Sequence, residues 1–433
     1  MLAPSTPALG AAPAQQPHIV LILADDWGQY NAGYRNGGVS RTPAIDALAA
    51  ESLELSRFYV HKWCAPSRSA LMTGRNPMHT GLDPLNWTAT ILRPNQGTGA
   101  VSEDYVFLPR VLQQARPKPY YSAMLGKWHL GYWKQAFTPV GRGFCESFGF
   151  LGGFETYSSH MMWNGRFNAS AKGPNAWYSG PFITDLWDSD HAATDARYNG
   201  TCDEAGVCAC TAAAIRANGG KSAPRCRYSS YMYTEKAVAL IEAAGARAAA
   251  DAAPAFFYFA VQSVHSPYQV PKEYLDLFPD LPVDSLARRE HAMVAALDDF
   301  VGNVSAALRA AGMWEDTLLI LHSDNGAVQA APQPGGPGRY HNPNGTGSLY
   351  SCGGTAYPLR GAKPVKILQN TFVDRTHCIA QLRTGSSFLL ECSALFVTPD
   401  STCGRVGLVC PRFSVAAPCP PRVVGAGLRC LCT

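Results

Sequence analysis

The run His18-Ile19-Val20-Leu21-Ile22-Leu23-Ala24 decides the fold class, and it ends directly in Asp25-Asp26. A continuous apolar run of this length is typical of a strand that is buried on both faces, as the strands of a parallel sheet are. Two further apolar runs, at 255–261 and 318–321, have the same character. Stretches with helical character separate the three runs, so the sequence predicts an α/β fold built on a parallel sheet.

The segments between these runs carry weaker patterns. The sequence predicts helices over 42–53, 105–115, 231–250 and 286–311, and shorter strands over 55–60 and 120–125. Thr42 and Pro43 suit the start of the first helix, as its N-cap and first helical residue. Residues 141–227 are rich in Gly, Asn and aromatic residues, and we expect them to form long loops that shape the rim of a substrate pocket.

Each of the three apolar runs is followed by polar residues: Asp25-Asp26, His265 and Asp324-Asn325. In open parallel sheets the ligand site lies outside the carboxyl ends of the strands, so these side chains are expected to converge. Adjacent carboxylates repel each other unless a cation or hydrogen bonds hold them, although a simple turn would also explain Asp-Asp by itself. Three aspartates and an asparagine carbonyl form an all-oxygen set, which suits calcium or magnesium better than zinc.

The stretch Cys64-Ala65-Pro66-Ser67-Arg68 has the character of the first turn of a helix. A cysteine at a helix N-terminus and beside an arginine is in a position that favours the thiolate. The residues alone therefore suggest a reactive thiol. A buried cysteine beside a Pro-Ser helix start is the alternative.

A second candidate segment, Gly126-Lys127-Trp128-His129, follows the strand predicted at 120–125. Residues two apart in an extended segment point to the same side, so Lys127 and His129 are expected to reach one pocket. On spacing alone, a surface loop with a packed tryptophan is the favoured explanation of the segment.

The composition bears on the compartment. Fourteen cysteines in 433 residues suggest an oxidising environment. Five Asn-x-Ser/Thr sequons, at Asn86, Asn168, Asn199, Asn303 and Asn344, agree with passage through the secretory pathway. Residues 1–17 form an Ala/Pro-rich low-complexity leader without the basic start and apolar core of a signal peptide. The net charge of +4 predicts no nucleic-acid partner, and no apolar run is long enough to span a membrane.

Six separated motifs carry a family resemblance. They are Leu-Ala-Asp-Asp at 23–26, Cys-Ala-Pro-Ser-Arg at 64–68, Gly-Lys-Trp-His-Leu-Gly at 126–131, Val-His-Ser-Pro at 264–267, Ser-Asp-Asn-Gly at 323–326 and Leu-Arg-Gly-Ala-Lys at 359–363. In this order they resemble the sulfatase family of the alkaline-phosphatase-like superfamily, with a layout most similar to its arylsulfatase B-like members. The resemblance implies a large, mostly parallel sheet flanked by helices on both faces, and a sulfuric ester hydrolase of the arylsulfatase type.

The resemblance also implies roles for individual residues. Calcium, or magnesium in its place, would be bound by Asp25, Asp26, Asp324, Asn325 and a formylglycine made by oxidation of Cys64. Arg68, Lys127 and His129 would orient and stabilise the formylglycine. Lys127, His265 and Lys363 would bind the sulfate oxygens, and one of the histidines would protonate the leaving oxygen.

The implied chemistry is covalent catalysis in two steps. One hydroxyl of the hydrated aldehyde attacks sulfur, and the other later loses its proton and expels sulfate. The implied partners are a sulfated small molecule or carbohydrate as substrate, and a formylglycine-generating enzyme during maturation. A phosphonate or phosphate monoester hydrolase of the same superfamily is the alternative enzyme, and a truncated inactive relative is the alternative outside enzymes.

The resemblance ends at Lys363. The family continues there into a small C-terminal subdomain with an antiparallel sheet, and this subdomain is predicted to be missing or replaced. Residues 364–433 instead hold seven of the fourteen cysteines and show no sustained period. We therefore predict three regions: the leader 1–17, a catalytic domain over 18–363, and a divergent Cys-rich tail of uncertain fold over 364–433.

Overall fold

The computed structural model describes residues 16–55, 58–82, 99–163, 182–193, 207–208, 228–282, 285–328, 374–375 and 378–382. Its strands are β1 (His18–Ala24), β2 (Leu53–Glu54), β3 (Tyr59–Val60), β4 (Tyr121–Lys127), β5 (Glu146–Phe150), β6 (Met161–Trp163), β7 (Phe182–Thr184), β8 (Trp187–Asp188), β9 (His191–Ala192), β10 (Val207–Cys208), β11 (Ala255–Ala260), β12 (Val270–Pro271), β13 (Thr317–Ser323), β14 (Asp374–Arg375) and β15 (Cys378–Leu382).

The described α-helices are α1 (Gly33–Asn36), α2 (Pro43–Ala50), α3 (Cys64–Thr73), α4 (Pro77–Thr80), α5 (Leu108–Leu112), α6 (Ser229–Asp251), α7 (Lys272–Leu275) and α8 (Leu286–Ala310). Two short 3₁₀ helices cover Gln135–Phe137 and Trp314–Asp316.

The main sheet has the strand order β2-β15-β13-β1-β11-β4-β5-β8-β9 among the described residues. Its centre, from β13 through β1, β11 and β4 to β5, is parallel, and the strands on either side are antiparallel. The three apolar runs of the sequence are therefore neighbours, with β1 in the middle. Since neighbouring parallel strands end at the same edge, the polar residues that follow them meet there.

Helices cover both faces of this sheet, as the sequence resemblance predicts. On β11, Phe257 and Phe259 face one core cluster, which α6 and α8 complete. Phe256 and Tyr258 face the other cluster, which includes residues of α3 and the packed Trp128. Every residue of β11 is buried, which explains why its sequence is apolar throughout rather than alternating.

The sequence prediction misses β5, which falls in the stretch expected to be loop. This strand reads Glu-Ser-Phe-Gly-Phe and lacks an apolar run. It pairs closely with β4, because a Cβ on Gly149 would lie 2.1 Å from the carbonyl oxygen of Gly126. Only glycine permits this approach of two backbones, so the strand depends on tertiary packing rather than on strand propensity.

The predicted helices occur with shifted ends. The helix expected over 42–53 ends at Ala50, and the one expected over 105–115 is only Leu108–Leu112. Residues 53–54 form β2 instead, because they pair with β15 at the edge of the sheet. The two long helices begin and end within about two residues of their predicted bounds.

Part of the predicted tail contributes to the fold. β15 pairs antiparallel with β13 over Cys378 to Leu382, and β14 pairs antiparallel with β3. The leader to residue 15, residues 383–433 and most of the remaining tail lie outside the described residues, so the division into three regions stays a prediction. Among the helices that the structure describes, none combines the length and apolar character needed to cross a membrane.

Candidate active site

Cys64 is the first residue of α3, as the sequence predicts. The preceding Trp63 has extended backbone dihedrals, and its carbonyl accepts a hydrogen bond from Ser67 N at 3.3 Å. The Cys64 side chain forms no disulfide, is buried, and donates from Sγ to Asp25 Oδ1 at 3.6 Å. The helix therefore presents its first side chain to the polar edge of the sheet.

Backbone hydrogen bonds hold the three strand ends together. Asp25 N donates to Ser263 O at 2.9 Å, and Val264 N donates back to Asp25 O at 2.6 Å. On the other side, Asp324 N donates to Ala24 O at 3.0 Å. The convergence predicted for the residues after β1, β11 and β13 is therefore confirmed.

Arg68 lies one turn into α3 and is completely buried. Its Nε donates to Asp324 Oδ2 at 2.9 Å, and one terminal nitrogen donates to Lys127 O at 2.9 Å. The other terminal nitrogen lies 2.8 Å from Asp324 Oδ2 and 3.6 Å from Asp25 Oδ2. Burial by itself would lower the pKa of Arg68, but the neighbouring carboxylates outweigh it and the pKa is raised, so the guanidinium stays charged.

Lys127 is the last residue of β4 and is also completely buried. Its ammonium group lies 2.6 Å from Asp25 Oδ2. Arg68 and Lys127 contact the carboxylates of Asp25 and Asp324, and Asp26 adds a third carboxylate to the cluster. The cluster keeps one net negative charge, which a divalent cation would reverse to one net positive charge.

Several possible metal ligands lie close together, and the carboxylate oxygens among them suit a hard cation. One ligand atom from each of Asp25, Asp26, Cys64 and His265 lies within 4.8 Å of the others. Asn325 donates from Nδ2 to Asp26 Oδ1 at 2.6 Å, while its Oδ1 is buried and has no hydrogen-bond partner among the described residues. A buried amide oxygen is costly without a partner, and a bound cation would provide one.

His265 enters this cluster from the β11 side. Its Nε2 lies 3.7 Å from Asp26 Oδ2, and its Nδ1 lies 2.5 Å from the carbonyl oxygen of Ser266. A carbonyl only accepts, so Nδ1 carries a hydrogen and Nε2 is the nitrogen that faces the cluster.

His129 does not follow the extended geometry expected for residues 127–129. Its φ angle is +59°, in the left-handed region, so the alternation that should point Lys127 and His129 to one side ends at Lys127. The His129 ring lies against the backbone of Gly153. Lys363, the third predicted sulfate ligand, lies outside the described residues.

Two residues near His265 carry no signal in the sequence. Phe154 stacks on its imidazole, and the hydroxyl of Tyr157 donates to its carbonyl oxygen. Both belong to the stretch that the sequence predicts to be a loop at the substrate rim. The Gly and aromatic content marked this stretch as unusual, but only the fold brings these two side chains to His265.

Known proteins resemble this chain over most of its length. The profile of the Sulfatase family matches residues 17–348. Mouse (Mus musculus) Arylsulfatase J is 32% identical over 357 residues, which cover 82% of this chain and 47% of that protein. Mouse N-acetylgalactosamine-6-sulfatase is 31% identical over 332 residues, covering 76% and 54%. The chain thus spans about half the length of these curated relatives.

Solved structures agree with the fold. The crystal structure of Ps i-CgsB matches with a TM-score of 0.59 and 26% identity, covering 85% of this chain and 66% of that protein. The same protein in complex with k-i-k-neocarrahexaose matches equally well.

Proposed function

The chain belongs to the sulfatase family, and from that premise we propose that it hydrolyses sulfate monoesters as a sulfuric ester hydrolase of the arylsulfatase type. One observation carries the proposal: Cys64 lies with its Sγ 3.6 Å from Asp25, inside a buried cluster of carboxylates and cations. This is the position of the cysteine in the family motif. A buried thiol in a merely structural role would not need charged neighbours.

The proposed nucleophile is made from Cys64 by oxidation to formylglycine. Once hydrated, that group supplies one hydroxyl to attack sulfur and a second to expel sulfate afterwards. The protein contributes the placement. The start of α3 directs position 64 toward the strand ends, while Arg68, fixed by Asp324, holds the first turn of the helix against the sheet.

The proposed metal is calcium, with magnesium as the other candidate. Asp25, Asp26, Asp324 and Asn325 would bind it, together with the oxygen of the modified Cys64. The ion would supply positive charge to the sulfuryl oxygens and polarise them. The net negative charge of the cluster and the buried Asn325 oxygen support this assignment.

The proposed sulfate ligands are Lys127, His265 and Lys363. Lys127 can stabilise negative charge on the sulfuryl oxygens from its place beside Asp25, in a buried site where such charges interact strongly. His265 is the proposed donor to the leaving oxygen: in its protonated form Nε2 would give up its proton, while the hydrogen on Nδ1 stays bonded to Ser266 O. His129 would orient the formylglycine, which remains a proposal from the family resemblance.

The proposed substrate is a sulfated carbohydrate or a sulfated small molecule. One relative is named for N-acetylgalactosamine 6-sulfate, and the solved relative Ps i-CgsB has been crystallised with k-i-k-neocarrahexaose. These ligands belong to those proteins. They support a carbohydrate for this chain but do not select one.

We further propose that the protein matures in the secretory pathway, where a formylglycine-generating enzyme would act on Cys64. Cys145 is disulfide-bonded, which agrees with an oxidising compartment. The division into 1–17, 18–363 and 364–433 is retained as the proposed domain organisation.

The test combines mass spectrometry with two assays. Protein produced in cells that contain the converting enzyme is digested, and the peptide with Cys64 should carry the aldehyde. The same preparation should hydrolyse an aryl sulfate faster than the matching aryl phosphonate or aryl phosphate. A preference for the phosphonate would assign the alternative activity, and an unmodified Cys64 without hydrolysis would assign the inactive alternative.

A further inference from the structure

Residues 153–157, which we call the histidine brace, contact both histidines of the proposed reaction. A Cβ added to Gly153 would lie 2.9 Å from Nε2 of His129, so the brace backbone lies directly against that imidazole. The next residue, Phe154, stacks on the His265 imidazole, with ring centroids 6.2 Å apart and an angle of 10° between the planes. One short segment therefore limits the movement of both rings.

Tyr157 fixes the backbone of the same histidine. Its hydroxyl lies 2.8 Å from His265 O and 3.0 Å from Gln262 O. The ring is fully buried and stacks on Tyr228, with centroids 5.3 Å apart. Burial raises the pKa of Tyr157 well above its usual range, so the hydroxyl keeps its proton and donates to these carbonyls.

The brace is itself anchored at both ends. Before it, the buried carboxylate of Asp185 accepts from Leu151 N at 3.1 Å and from Gly152 N at 2.8 Å. At its end, Tyr157 N donates to Gln269 Oε1 at 2.8 Å. These hydrogen bonds fix the backbone of the histidine brace. A flat aromatic ring on a fixed backbone can restrict the movement of an imidazole that stacks on it.

We propose that Phe154 and Tyr157 are positioning residues that hold Nε2 of His265 toward the leaving oxygen of the sulfate ester. Three contacts then restrain His265: Phe154 lies on the face of its imidazole, Ser266 O accepts from Nδ1, and the Tyr157 hydroxyl donates to its main-chain oxygen. The inference rests on the proposed function, since it assigns His265 as the proton donor. It adds two residues that would act through His265.

The test compares two aryl sulfates that differ in their need for a proton. Phenyl sulfate releases phenolate, a poor leaving group that needs protonation. In contrast, 4-nitrophenyl sulfate releases 4-nitrophenolate, which leaves readily as the anion. Phe154→Leu removes the flat face and keeps an apolar side chain. We expect it to lower kcat for phenyl sulfate roughly tenfold more than kcat for 4-nitrophenyl sulfate, with little change in KM.

Matched variants separate positioning from simple loss of packing. Phe154→Tyr restores the flat face and should restore hydrolysis of phenyl sulfate, whereas Tyr157→Phe should repeat the selective loss. Phe278→Leu removes a tilted ring contact with His291, where the centroids are 5.6 Å apart, and should affect both substrates equally or not at all. Equal losses with both substrates in Phe154→Leu would overturn the proposal, as would no loss.

A second readout does not depend on turnover. In protein labelled with ¹⁵N-histidine and held at alkaline pH, the neutral ring of His265 should show a single tautomer with hydrogen on Nδ1, the form that remains after Nε2 has given up its proton, and Phe154→Leu should average the two tautomers. Unchanged signals in the variant would overturn the proposal even if the enzyme were inactive. The wild type could hydrolyse neither ester while the His265 signals still change in Phe154→Leu as expected. In that case the proposed function fails and the restraint on His265 stands.

Discussion

The Nζ atom of Lys127 lies 2.6 Å from Oδ2 of Asp25, and both side chains are fully buried. Lys127 ends β4 and Asp25 follows β1, and β11 lies between these two strands. The pair therefore spans about 10 Å of sheet, which only a long side chain can reach across. It ties two segments that are 102 residues apart in the chain and supplies one of the two cations of the cluster.

Replacing Arg68 should destabilise the protein. Arg68→Gln leaves Asp324 buried without its guanidinium partner, and we expect a loss of about 3 kcal/mol in the free energy of unfolding. Urea unfolding without added metal measures it. Arg35→Gln breaks the partly exposed pair with Glu54 and should cost less than about 1 kcal/mol. Equal losses in the two variants would contradict the buried role of Arg68.

Calcium should stabilise the folded protein. A ligand that binds only the folded state at a hundred times its dissociation constant adds about 2.7 kcal/mol. Asp26→Asn removes one carboxylate from the site and should abolish most of the rise in Tm that calcium causes. Asp251→Asn, which changes an exposed carboxylate, should keep that rise. The same titration with magnesium identifies the preferred ion. If calcium raised the Tm of Asp26→Asn as much as that of the wild type, calcium would bind somewhere other than this cluster.

Cys64→Ser should trap a sulfated enzyme. A serine hydroxyl can attack sulfur, but it lacks the second hydroxyl that would expel sulfate. Incubation with an aryl sulfate should release one equivalent of phenol and leave one sulfo group on the peptide that contains residue 64, detected by mass spectrometry. Cys64→Ala offers no oxygen and should give neither signal. Continuous turnover by the serine variant would refute the assigned nucleophile.

Acid should destabilise the protein through His291. This histidine lies in α8, is buried, and meets Ser40 Oγ at 3.0 Å. Burial lowers the pKa of His291 to about 4, so between about pH 6.5 and 4 the unfolded chain binds the proton more readily than the folded one. The contribution of neutral His291 to the free energy of unfolding is fully present above that window. It falls as the pH drops, by about 2 kcal/mol from pH 7 to pH 5.

The measurement for His291 is urea unfolding at the two pH values. His291→Gln should lose less stability between pH 7 and pH 5 than the wild type does. His191→Gln, which replaces an exposed histidine, should follow the wild type. Parallel losses in all three proteins would show that another group carries the acid sensitivity.

Much of the fold could be predicted because its strongest signals are local. The strands β1 and β11 are buried on both faces and β13 is buried or half-buried, so each contains a continuous apolar run that is easy to recognise. β5 was missed because its stability comes from the close approach of Gly149 to Gly126. That contact joins two strands, and residues 146–150 themselves contain no apolar run.

The site could be predicted where the type of a residue and its position after a strand indicate its chemistry. The pairs Asp25-Asp26 and Asp324-Asn325 follow apolar strands, and strand ends are where ligands bind. The expected geometry of His129 was wrong, because a left-handed φ angle at that residue cannot be inferred from its spacing to Lys127. Phe154 and Tyr157 were missed because their role depends on a neighbour more than 100 residues away.

The sequence by itself determined the α/β class, the start of a helix at Cys64 and the set of charged groups available for a hard-cation site. These follow from local periodicity and from the chemistry of side chains, which the sequence states directly. Only the tertiary structure decided which charges neutralise one another, with Arg68 on Asp324 and Lys127 on Asp25. Pairing of buried charges depends on distances across the sheet, and those distances exist only after the strands are ordered.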